Sequence, residues 1–366
     1  MSIYQAKGKT IEEQYYDVGT LFGESIRNSV AKIAKKRSKL TRVRRQVAEK
    51  TLTNIVNKVE VNDFLKCLKA WCQGAKIELV EGMWLLADNL SGCQTMIARY
   101  GSGVALIHTE EEFIDANHID LHMSDPNTIS FNMNGQTLNT LVYNDLLPGC
   151  GLYGFKENMI VAVDSLFLVE EGIEKVNNPL LANIVSWLVW RMDREETEPS
   201  KIVTLIHSLG EVVDGYAINV VRKVGESIEG YKLTIVRNEH QIEFLGKENG
   251  SHLRQTNIVD PKYPKMEGTM SPKNIWRGGW KYFKQRLMDM DKHAKIYRHY
   301  AQLSLDPNKH EWAHRLIQKT IFTDLRKYYV NPDLGAVCIG LVDSSGTSVS
   351  VAKSAEDKEQ IIICTI

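Results

Sequence analysis

The chain has 366 residues, 43% of them hydrophobic and 25% charged, with Lys+Arg and Asp+Glu equal at 45 each. That is the composition of a globular protein able to bury a large core as one big domain or two ordinary ones, and it excludes the strong net field that gathers nucleic acid or a membrane surface. Six cysteines, at 67, 72, 93, 150, 338 and 364, do not resemble a disulfide framework, and Met1-Ser2-Ile3-Tyr4-Gln5 lacks a secretory profile, so a reduced, cytoplasmic protein is expected.

Taken in chain order, Thr10 with Glu13 forms a capping-box signature. Ile11, Tyr15, Val18, Phe22, Ile26, Val30 and Ile33 follow at three- and four-residue steps, the stripe of an amphipathic helix. Further helices are expected over Thr41–Lys58, Val61–Cys72 and Ala75–Asp88. The texture changes at Cys93. Cys93–Tyr100 and Val104–His108 read as strands about a Gly101-Ser102-Gly103 turn. Short β runs continue over Thr128–Phe131, Leu138–Tyr143, Met159–Phe167, Val203–His207, Tyr216–Arg222, Tyr231–Arg237 and Gln241–Leu245, between turn signals such as Leu147-Pro148-Gly149.

Pro179 opens a predicted helix to Met192, whose longest apolar run, Leu180 to Met192, is too short to span a bilayer. Helical stretches over Lys273–His299 and Lys309–Ile321 precede strands at Lys327–Val330 and Ala336–Leu341. Helices, then many strands, then helices and strands predict stacked antiparallel sheets with helices outside. No strand, Gly-rich loop and helix follow one another in the way a nucleotide-binding parallel sheet requires.

Gly92-Cys93 is the most informative dipeptide. A cysteine opening a hairpin directly after glycine suits an enzyme that cuts its own chain there and uses the freed amine as base for the neighbouring thiol. An α-amine with a pKa near ~8 and a thiol near ~8.5 can share a proton at neutral pH. Glycine before the bond tolerates the strained turn that self-cleavage demands. The plain alternative is a buried strand cysteine.

Several stretches resemble, in order, the cysteine N-terminal-nucleophile hydrolases of the isopenicillin N acyltransferase family. Ala75–Gly82 looks like the helix before the nucleophile, and Gly92-Cys93-Gln94-Thr95 like the Gly-Cys-Thr/Ser processing site. Pro148–Phe167, with Gly154-Phe155-Lys156-Glu157-Asn158-Met159, is similar to a turn between two strands. Arg254-Gln255-Thr256-Asn257 looks like the His-Thr-Asn motif. The resemblance runs from about residue 8 to 353. It implies an α+β fold, a four-layer αββα sandwich in which a helical segment, residues 1–92, precedes a catalytic domain, residues 93–366, and is released or retained after self-cleavage.

The same resemblance implies roles. Cys93 is nucleophile and, through its amine, base; Glu111 stands where the family places an aspartate that balances the terminal ammonium; Asn257 matches the asparagine of the oxyanion site. Departures are Gln255 for the family histidine, Glu111 for the shorter aspartate and Asn158 for a glycine. The plain alternatives are a solvated acidic turn for Glu110-Glu111-Glu112 and a turn residue for Asn257. The expected function is hydrolysis of a small amide, or acyl transfer from an amide or acyl thioester, with no cofactor and no metal.

Other signals compete. His310-Glu311-Trp312-Ala313-His314 satisfies the zinc-peptidase spacing, without the extended glycine and third histidine. His118 and His122 offer the same spacing in a loop-like stretch. The basic run from Lys32 to Arg45, continuous with Arg27 and free of acids, suits an acyl carrier or coenzyme A phosphate, or else is one solvated helix face. A non-catalytic binding protein on the same scaffold stays open.

Overall fold

In a computed structural model, which describes residues 3–36, 39–88, 92–111, 126–133, 135–150, 153–166, 173–255, 334–352 and 362–365, Thr10 caps the first helix as its spacing predicts. Its side chain accepts from the Glu13 backbone, and the Glu13 carboxylate accepts from the Thr10 backbone, completing the capping box. Strand β1 (Tyr4–Gln5) precedes helices α1 (Ile11–Leu21), α2 (Gly23–Lys35), α3 (Lys39–Ile55), α4 (Asn62–Ala75) and α5 (Leu79–Asp88). The single apolar stripe expected from Thr10 to Ile33 is thus two helices, interrupted at Phe22.

The two glycines where α1 crosses α4 explain how closely they pack. A Cβ on Gly19 would lie 2.2 Å from the Trp71 carbonyl oxygen, and one on Gly74 would lie 2.2 Å from that of Tyr16. The backbones are in contact, and neither can retreat cheaply. Gly74→Ala is therefore expected to cost about 3 kcal/mol, the upper end for overpacking. Gly135→Ala, where nothing lies within 4 Å but φ is +82°, should cost only about 1 kcal/mol. Denaturant unfolding of both variants checks the contrast.

The strands are β2 (Gly92–Tyr100), β3 (Gly103–Glu111), β4 (Pro126–Met133), β5 (Gln136–Tyr143), β6 (Tyr153–Lys156), β7 (Met159–Leu166), β8 (Pro179–Leu180), β9 (Glu211–Val224), β10 (Ser227–Arg237), β11 (Glu239–Phe244), β12 (His252–Gln255), β13 (Leu334–Asp343), β14 (Gly346–Ala352) and β15 (Ile362–Thr365). A nine-stranded sheet runs β1-β4-β5-β6-β7-β9-β10-β11 with β8 beside β9, and a six-stranded sheet runs β12-β2-β3-β13-β14-β15. Pairing is antiparallel except at β1–β4 and β8–β9.

Two helices interrupt the strands, α6 (Ala182–Arg191) and α7 (Pro199–Leu209). The latter corrects the expected strand Val203–His207. Ile202, Val203, Ile206 and Leu209 are buried at helical spacing, Pro199 begins the helix, and Gly210 ends it. Five β-branched and aliphatic residues in a row hid that period. Pro179 likewise lies in β8 rather than opening α6, which begins at Ala182.

α1 packs on β4, and α6 packs on β7 and β9; β2 and β3 lie across β7 and β9. The described residues thus form an α+β protein of helices, large sheet and small sheet. Lys273–His299 and Lys309–Ile321, expected as an outer helical layer, fall outside the described residues. Where the sheets meet, Gly340 makes room: a Cβ there would lie 2.3 Å from the Tyr153 hydroxyl and 2.4 Å from Ile160.

Helices and sheets share one hydrophobic core. Tyr15, Ile26, Phe64, Leu68 and Trp71 of the first 92 residues are fully buried in the same cluster as Ile160, Val163 and Val220. Polar clamps cross the same boundary. The Gln14 amide donates to the Asn132 carbonyl at 2.8 Å and accepts from the Asn132 N–H at 2.8 Å. The Tyr15 hydroxyl donates to the Pro148 carbonyl and accepts from the Trp187 indole N–H, both at 2.8 Å.

One buried cation has a pH signature. Lys156 ends β6 with its ammonium donating to the Met192 carbonyl, and burial pulls its pKa down to about 8 against the weaker pull of Asp193 and Glu195. The unfolded chain keeps this proton up to its ordinary value of 10.5, so between about pH 8 and 10.5 the unfolded state binds more protons and stability rises with pH. The slope is roughly 1.4 kcal/mol per pH unit, before other groups contribute. Unfolding free energies at pH 7.5 and 10 should show this rise in the wild type and a smaller one in Lys156→Met.

Candidate active site

Register builds the site. β2 and β3 are joined by Gly101-Ser102, with Gly101 at φ +55°, and their pairing sets Cys93 opposite Glu110 and Thr95 opposite His108. Cys93 and Thr95 are two residues apart, so they share a face of the small sheet. Cys93 is 1% exposed; its sulfur lies 3.8 Å from the Val163 carbonyl, to which the thiol donates, and 3.9 Å from the Ser165 hydroxyl on β7. The thiol therefore lies between the two sheets.

Beside it is a buried polar network that crosses from sheet to sheet. The Thr95 hydroxyl and His108 Nδ1 are 2.7 Å apart. The same nitrogen is 3.9 Å from Asp164 Oδ1, with both side chains fully buried. The Asn219 amide donates to Asp164 Oδ2 at 2.7 Å, reaching diagonally from β9 to β7. On the other side of β2, Gln255 of β12 is paired with Thr95 and is buried. Buried polar groups are retained at such density only when they satisfy one another.

The sequence singled out Cys93 but passed over Thr95, His108, Asp164, Ser165 and Asn219. A usable signal was present. Asp164 is the one charged residue in the wholly buried run Met159–Leu166, and Asn219 interrupts the apolar centre of β9. A carboxylate in the middle of a strand covered on both faces needs a partner across the interface.

Gly92 and Glu111 pair with each other at the ends of β2 and β3, so the register neighbour of Cys93 is Glu110 rather than Glu111. Asn257 lies outside the described residues; β12 ends two positions before it, at Gln255. His310, Glu311 and His314, and His118 with His122, also fall outside them. Among the described residues no group of three or more His, Cys, Asp or Glu could hold a metal ion. No helix among them is long and apolar enough to cross a membrane.

The basic run is partly consumed inside the protein. The Arg27 guanidinium donates to the Ala75 carbonyl at the end of α4 at 2.8 Å, and Arg45 donates to Ile33 in the last turn of α2 and lies 5.2 Å over the Trp84 ring. Arg44 is buried, with a long 3.5 Å contact to the Ala87 carbonyl of α5. Cations at the carboxyl ends of helices satisfy carbonyls that have no intrahelical partner. Lys32, Lys35 and Arg42 are exposed.

Comparison with known proteins adds no identity: no protein-family profile matches the chain, and no curated protein matches it at a significant level.

Proposed function

We propose that the chain is the uncleaved precursor of a cysteine N-terminal-nucleophile enzyme, which breaks its own Gly92–Cys93 bond and then cleaves a small amide or transfers its acyl group. One observation carries this reading: Cys93, directly after a glycine, is the second residue of an inner strand of two face-to-face sheets, with its sulfur turned between them among buried polar groups. In this reading the fold is a four-layer αββα sandwich, and the reduced cytoplasm keeps the thiol available.

In the first stage the Cys93 thiol adds to the Gly92 carbonyl, the C–N bond breaks as the nitrogen takes up a proton, and a thioester forms. Water hydrolyses it, leaving a Gly92 carboxylate and a Cys93 with free amine and thiol. In the second stage the amine accepts the thiol proton as sulfur attacks the substrate carbonyl. Asn257 and backbone amides hold the oxyanion, Glu111 balances the ammonium charge, and the amine returns its proton to the leaving nitrogen. Water or an acceptor amine then resolves the acyl-cysteine. Thr95, His108, Asp164 and Asn219 are positioning residues that fix the strands flanking the thiol.

The helical segment stays bound after cleavage. Tyr15, Ile26, Phe64, Leu68 and Trp71 alone represent on the order of 10 kcal/mol of apolar burial. Incubation with a panel of acyl amides and acyl thioesters, followed by peptide mapping, tests the reading: an acyl adduct on Cys93 is expected, and turnover with an adduct elsewhere, or with none, contradicts it.

The 1% exposure of Cys93 favours a second reading, a non-catalytic binding protein on this scaffold. It predicts an uncleaved chain whose Cys93 resists alkylation until unfolded. A peptidase built on His310, Glu311 and His314 predicts stoichiometric zinc and inactivation by chelator.

A further inference from the structure

Away from Cys93, a cleft of about 700 Å³ opens at the end of the large sheet where β9 begins. Its floor is backbone: the Glu211 N–H donates to the Asn178 carbonyl at 2.9 Å, and Gly210, at φ +154°, passes so close that a Cβ would lie 2.4 Å from the same oxygen. Lys175 comes from one wall, His207 from the last turn of α7, and Arg237 with Asn238 from the β10–β11 hairpin. Asn177 and Asn178 add amides; Glu211 is the lone acid and Val176 the lone aliphatic side chain among the described lining residues.

That lining is wrong for an apolar acyl group and right for a hydrophilic anion. Among the described lining residues two cations outweigh one carboxylate, and a guanidinium with an ammonium suits phosphoryl oxygens. The carboxyl end of α7, which would repel an anion, is covered from outside the cleft: the Asn54 amide donates to the Leu209 carbonyl at 2.9 Å and the Lys58 ammonium to the Ser208 carbonyl at 2.6 Å.

Arg237 supplies an independent sign. β10 and β11 are joined by only Arg237 and Asn238, since Val236 already pairs with Glu239. Arg237 has φ +55°, the first position of a tight hairpin link, where glycine is the favoured residue. A long cationic side chain thus sits at a backbone conformation that glycine adopts more easily. His240, on the same hairpin, brings a second imidazole, its ring 5.8 Å from that of His207.

We infer that this cleft binds a small phosphorylated polyhydroxy compound, with Lys175 and Arg237 on the phosphoryl oxygens and the asparagine amides on the hydroxyls. It is separate from the candidate active site: Tyr216, paired with Ser165 beside Cys93, is five residues along β9 from Glu211, on the order of 15 Å away.

Isothermal titration of the full chain with a hexose monophosphate, with inorganic phosphate and with the free hexose tests it. Saturable binding of the ester is expected, about tenfold weaker binding of phosphate, and none of the hexose. Lys175→Gln and Arg237→Gly should each weaken the ester by about tenfold or more. The far-ultraviolet circular dichroism of both variants should match the wild type at the temperature of the titration; that separates lost binding from lost folding. Absence of saturable ester binding below about 10 mM overturns the proposal, as does binding that neither substitution weakens. Phosphate binding as tightly as the ester overturns the polyhydroxy part and leaves a bare oxyanion site.

Discussion

A Cys93→Ala chain is expected to fold, to remain joined at 41.6 kDa and to lose amide cleavage or acyl transfer by at least about a thousandfold. The structural cost is small by comparison. The change deletes one sulfur atom from a site 1% exposed, leaving a cavity worth about 1–2 kcal/mol. A melting curve near the wild type, together with abolished self-cleavage and turnover, is therefore the signature of a lost nucleophile. Cys93→Ser keeps the shape with a weaker nucleophile and should cleave slowly or not at all. Full turnover in Cys93→Ala would remove the thiol from the chemistry altogether.

Asp164→Ala is expected to cost about 3–5 kcal/mol, the largest stability loss foreseen for a single side chain here. The carboxylate is fully buried between His108 Nδ1 on one sheet and the Asn219 amide on the other. Removing it strips the Asn219 amide of its closest acceptor and the His108 ring of a carboxylate 3.9 Å away, in a place water does not reach, and that penalty exceeds the net worth of the bond itself. Asp164→Asn, nearly isosteric, should lose less, because its amide oxygen can still accept from the Asn219 amide that now donates to Asp164. Urea unfolding of the two variants measures the difference; equal, small losses would mean that Asp164 carries no such network.

Helices of the first 88 residues were legible because their apolar stripes and the Thr10–Glu13 cap are local signals. The hairpin at Cys93 was legible for the same reason: Gly101 marks the turn and the apolar run Val104–Ile107 marks the second strand. α7 was misread because Ile202, Val203, Leu205 and Ile206 form an apolar run too short for periodicity to resolve. The site was half legible. Cys93 stands out from its neighbours in sequence, whereas His108, Asp164 and Asn219 are far apart in the chain and meet only because two sheets stack. Glu111 is read by counting past a turn, and only the strand register shows that it pairs with Gly92 while Glu110 pairs with Cys93. Nor does composition show that Arg27 and Arg45 spend their charge on helix ends.

Intact-mass spectrometry of the purified protein, with sequencing of every amino terminus, tests the self-cleavage most directly. A polypeptide beginning at Cys93, carried with the helical segment through native purification and parted from it by denaturant, is the predicted result. A single 41.6 kDa chain whose Cys93 stays unmodified by iodoacetamide until the protein unfolds would contradict it.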